Sequence, residues 1–107
     1  MDIVESNKII AEFIGFKFSE HFGAFMTESG NVQFYKAKYH KSWSRLMPVI
    51  EKIESLGYWT EIIGSAANAS FQIGRINENH FFIQCTSNSK IEAAYTAVVD
   101  FIKNYKY

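Results

Sequence analysis

The chain has 107 residues, 48% of them apolar and 21% charged, a length that suits one domain and a composition that can fill a packed core. Eleven basic and eleven acidic residues give a formal net charge of zero, which argues against a nucleic-acid binder working through a basic excess. The single cysteine, Cys85, has no partner for an internal disulfide, no apolar run approaches the roughly 18 to 20 residues that span a bilayer, and MDIVESNK lacks the features of a signal peptide, so a cytoplasmic protein with no membrane contact is expected.

Residues 6 to 15 are expected to form a short helix. Ile9, Ile10, Phe13 and Ile14 recur at helical spacing, Ser6 is placed to cap the start, and Gly15 to end it. Residues 16 to 40 fit either a small hairpin or an irregular loop. TESGN (27 to 31) is a turn signal, and NVQFYKAKYH after it alternates. Extended, that stretch would set Tyr35, Ala37 and Tyr39 on one face and Lys36, Lys38 and His40 on the other.

SWSRLMPVIEKIESLG (42 to 57) reads as a helix with Ser42 as N-cap, an apolar stripe of Leu46, Val49, Ile50, Ile53 and Leu56, and Gly57 as its stop. Pro48 leaves two alternatives, a helix that kinks there or a looser first turn with the true start near Pro48. Three strands follow, at 58 to 64, 70 to 75 and 80 to 85, joined by short links that suit antiparallel hairpins. Phe71, Ile73 and Arg75 alternate with Ser70, Gln72 and Gly74. In the third strand Phe81, Ile83 and Cys85 oppose His80, Phe82 and Gln84. The last helix carries a capping box, Ser89 with Glu92, and a stripe of Ile91, Ala94, Tyr95, Val98, Ile102 and Tyr105.

The expected fold is therefore a single α+β domain. A short helix and an irregular or hairpin segment occupy 1 to 41. A core of helix, three strands and helix occupies 42 to 105, with a small antiparallel three-stranded sheet packed against two long helices. The order of that core resembles double-stranded-RNA-binding domains, which grip phosphates with a lysine cluster at the start of the last helix. Here the cluster is reduced to Lys90, and Ile91 and Glu92 follow it, so the topology resembles that domain while the phosphate-binding chemistry departs from it.

YHKSWSRLMPVIEKIESLGY (39 to 58), NKIIAEFIGFKF (7 to 18) and SNSKIEAAYTAVVDFIKNY (87 to 105) together resemble a group of small prophage and mobile-element proteins of Bacteroides-type bacteria. These are similar to the phage domain described as an α-β-α sandwich. The resemblance covers about half of the chain. It implies an origin and a fold, and it carries over no catalytic residue.

The sharpest charge feature is FYKAKYHKSWSR (34 to 45), which has no acid between Glu28 and Glu51. Its cations alternate with aromatics, the pairing that a single-stranded nucleic-acid platform uses to stack bases and neutralise phosphates. Lys36, Lys38, His40, Lys41, Trp43 and Arg45 are the candidate contacts. The plainer reading is a solvated strand edge whose lysines discourage edge-to-edge pairing while its aromatics enter the core. His21, His40 and His80 are scattered without metal-ligand spacing, no Gly-rich phosphate loop is present, and Cys85 reads as a buried core residue. Glu51 and Glu54 read as solubilising charge. No catalytic residue, metal or cofactor is expected. The leading functional expectation is a non-enzymatic, phage-derived accessory protein acting through a protein partner or as a homodimer. Single-stranded nucleic-acid binding through 34 to 45 is the alternative.

Overall fold

The computed structural model describes residues 3–15, 17–19, 24–26, 39–65, 67–76 and 81–105. The first helix, α1 (Ile3–Phe13), starts earlier than expected. Ser6, Ile10 and Phe13 fall at steps of four and three, so Ser6 lies inside the helix on its inward stripe. There it is 2% exposed, and the capping role assigned to it does not hold. Gly15 and Gly57 follow their helices with φ of 104° and 99°, as stops in the left-handed region do.

After α1 come β1 (Lys17–Ser19) and β2 (Ala24–Met26), paired antiparallel with Phe18 opposite Phe25. A hairpin is thus formed in the first part of the ambiguous segment. The TESGN turn and residues 32 to 38 of the alternating stretch lie outside the described residues.

The second helix, α2 (Trp43–Ser55), runs continuously through Pro48, so its first turn is helical from Trp43. Proline removes the N–H that would reach the Ser44 carbonyl. Ser44 and Pro48 are both exposed, and water is available to that carbonyl. Ser42 holds the N-cap position. Its carbonyl accepts the Leu46 N–H at 3.0 Å, while its hydroxyl pairs with that of Ser44 and leaves the helix without a side-chain cap. Leu46, Val49, Ile50 and Ile53 are buried as expected, whereas Leu56 is the C-cap residue and is 39% exposed.

Three antiparallel strands follow in the spatial order β3 (Tyr58–Ser65), β4 (Asn68–Arg75), β5 (Phe81–Ser87). The last helix, α3 (Lys90–Asn104), lies over β4 and β5, α2 packs beside β3, and α1 packs on α3. Serving both the sheet and α1, α3 buries more than one stripe: Ala93, Ala94, Tyr95, Ala97, Val98, Val99, Phe101 and Ile102. Ser89 caps it, its Oγ accepting the Glu92 N–H at 3.4 Å. The α+β class and the helix–three strands–helix core are as expected from sequence.

The core joins Phe71 and Ile73 of β4 to Phe13, Phe101, Leu46 and Val98. Phe101 meets Phe13 and Tyr58 edge-on at 6.3 and 4.8 Å between ring centres. β4 is buried on both faces. On the side away from Phe71, Gly74 stands opposite Trp59, and a Cβ added there would come within 2.2 Å of the indole Cζ2. The missing side chain lets the indole lie flat across the strand. Among the described residues, no helix is long and apolar enough to cross a membrane.

Candidate functional site

Four of the six candidate contacts read from the basic aromatic stretch are described, and the fold separates them. Trp43, at the first position of α2, is half-buried and packs against the core, while Arg45 is exposed. Tyr39 is 4% exposed. Burial raises its phenol pKa, and the nearby Arg45 charge offsets part of that rise. His40 and Lys41 continue a turn toward α3. Lys36 and Lys38, like His21 and His80, lie outside the described residues.

His40 and Lys41 line a cleft of about 460 Å³ together with Ile3, Glu92, Tyr95 and Thr96. The α3 contribution follows from helix geometry, because Glu92, Tyr95 and Thr96 stand at i, i+3 and i+4 and share a face. Contacts behind the surface hold the walls. The Asn7 amide donates from Nδ2 to His40 Nδ1 at 3.2 Å, which leaves the ring proton of a neutral imidazole on Nε2. The imidazole meets the Tyr95 ring at 5.8 Å, and the Tyr95 hydroxyl donates to the Ile3 carbonyl at 3.4 Å. Lys41 and Glu92 are exposed, and the described residues give neither charged group an ion pair. The basic stretch thus reaches a wall that carries a carboxylate.

The second distinctive surface is β3. Among the described residues it has one neighbour, β4, and residues 61 to 65 are all exposed. Ile62 and Ile63 are 40% and 45% exposed and point to opposite faces of the strand. Ile62 stands in register with buried Phe71 and Ile63 with Ser70. Glu61 is the strand's one charged residue. Sequence reading placed the strand and overlooked this surface, although two adjacent isoleucines in YWTEIIG carry the signal.

A half-buried position on β5 leaves Cys85 less enclosed than expected, with its thiol 3.4 Å from Asp100 Oδ2. Burial first, then the hydrogen bond to Asp100 and its charge, push the thiol from 9.0 up to about 11. At α1's last residue, the Lys52 ammonium donates to the Phe13 carbonyl and sits 4.7 Å from the centre of the Phe13 ring, a cation at a helix C-terminus. Glu54 is engaged by the Thr60 hydroxyl at 2.6 Å. Among the described residues, no group of three or more His, Cys, Asp or Glu side chains is arranged to hold a metal ion. Compared with protein-family models, curated proteins and solved structures, the chain matches none of them.

Proposed function

We propose that this chain is a non-enzymatic interaction protein that works through β3, with a second copy of itself as the first partner. The observation that carries the reading is the pair Ile62 and Ile63, exposed on opposite faces of a strand with one described neighbour. Such a strand offers main-chain donors and acceptors to an incoming strand, and apolar side chains on both faces add burial to the pairing. Edges that avoid pairing carry lysine, proline or inward charges. β3 has neither lysine nor proline, and its Glu61 would meet itself only in a two-fold pairing centred on that residue. A formal net charge of zero adds no long-range repulsion between copies. A thiol protonated at neutral pH is a poor nucleophile, which weighs against a catalytic role for Cys85 itself. Descent from a prophage or mobile element belongs to the same proposal and rests on the three stretches quoted above, while the cytoplasmic setting proposed with it rests on the single cysteine and the absence of an apolar run long enough to span a bilayer.

Hydrogen exchange measured over a range of protein concentrations tests this reading. Amides of residues 61 to 65 are expected to gain protection as concentration rises, while the amides of α3 stay as they are. Exchange at 61 to 65 that is independent of concentration contradicts the self-pairing.

A second reading, single-stranded nucleic-acid binding, draws on the exposure of Lys41 and Arg45. Glu92 beside Lys41 works against it. A titration of fluorescent single-stranded RNA at low and moderate salt separates the two readings, since phosphate contacts would give an affinity that falls steeply with salt.

A further inference from the structure

The cleft between α3 and the His40 turn has properties that the β3 reading does not use. Its volume of about 460 Å³ is within the range of sites for small molecules. Three distant parts of the chain build it: the start of α1, residues 40 and 41, and the first turns of α3. Its inner wall is ordered before any ligand arrives, because Tyr95 is 4% exposed and tied to Ile3, and His40 is held by Asn7. Such preorganisation lowers the cost of binding. Among the described lining residues, Lys41 carries a permanent positive charge and Glu92 a negative one, and neither is neutralised by an ion pair within those residues. Thr96, whose side chain carries a neutral donor and acceptor, lines the same cleft.

We propose that this cleft binds a small zwitterion of the free α-amino-acid class, with its carboxylate toward Lys41 and its ammonium toward Glu92. A purely anionic ligand would meet the Glu92 carboxylate, and a purely cationic one the Lys41 ammonium. A molecule carrying both charges satisfies both rim groups at once. The rim is exposed, so each charge contact is weak, and an affinity no tighter than roughly tens of millimolar is expected.

The test is a nuclear magnetic resonance titration of the full chain with L-alanine, and in parallel with acetate and with methylammonium. L-alanine is expected to shift the amide signals of Lys41, Glu92 and Thr96 in a saturable way, with either half-ligand binding more weakly. Lys41→Gln and Glu92→Gln should each weaken L-alanine by about five-fold, the size of one partly exposed ion pair. Both substitutions are at exposed positions, and an unchanged melting temperature confirms that each variant is folded. No saturable shift with L-alanine overturns the proposal. So does acetate or methylammonium binding as well as L-alanine, or binding that both variants retain in full.

Discussion

β3 and β4 run side by side through eight register pairs, yet they live in different solvents. On β4, Ala69, Phe71, Gln72, Ile73 and Gly74 are all buried, whereas on β3 every residue from 61 to 65 is exposed. Both strands carry isoleucine, so the contrast arises from position and not from composition. β4 lies between two strands, beneath α3 on one face and beneath the Trp59 indole on part of the other. β3 shares its helix-side contacts mainly with α2, to which the Thr60 hydroxyl ties it through Glu54 near the strand's start. Beyond Thr60 the described helices give it little cover. The difference teaches that hydrophobicity in the centre of this sheet is used to fold, while hydrophobicity at its edge remains available for another molecule.

The contrast is sharpest when one residue type is deleted in both strands. Ile73 is fully buried, so Ile73→Ala should cost about 2 to 5 kcal/mol, a large part of the stability of a small domain. Ile63→Ala, at 45% exposure, should cost well under that. Equal losses in a denaturant titration would dissolve the distinction between the strands. Next in size is Gly74→Ala, which pushes a methyl group into the Trp59 ring and should cost about 1 to 3 kcal/mol, with a change in indole fluorescence as the ring is displaced.

Ser89→Ala removes the cap of the helix that buries β4 and should cost about 1 kcal/mol by denaturation midpoint. The Cys85 thiol gives a pH-dependent check on the β4–β5 side of the sheet. Because its pKa is raised from 9.0 to about 11 on folding, its stabilising contribution is complete below pH 9.0 and is lost as pH rises to about 11. Thermal melts across that window should fall less steeply for Cys85→Ala than for the unmodified chain. In the native protein, alkylation of Cys85 should be slow at neutral pH and faster in denaturant.

Much of this fold was legible because its signals are local. Gly57, the capping serine at 89, the stripe from Leu46 to Ile53 and the alternation of Phe71 and Ile73 each lie within a few residues of what they determine. Ser6 misled because capping residues and buried small polar residues look alike until the helix start is known, and Ile3 is what moves that start. The two-sided burial of β4 was hidden because Gly74 gains its cover from a cross-strand indole. The cleft was still less legible, since Ile3, His40 and Glu92 are far apart in the chain and only the packing of α1 and α3 brings them together. Tyr95 was recognised as a core residue, which it is, while its role as a wall of the cleft depends on those distant partners.

Ile63→Lys should change stability least, within about 0.5 kcal/mol, because its side chain already faces water. Its effect should appear in assembly instead. Sedimentation equilibrium of the unmodified chain and of Ile63→Lys, from micromolar to several hundred micromolar, tests the central claim most directly. The account predicts that the unmodified chain rises above its monomer mass of 12.3 kDa with concentration while the variant stays at that mass. An unmodified chain that remains at 12.3 kDa throughout, or a variant that associates equally well, would contradict it.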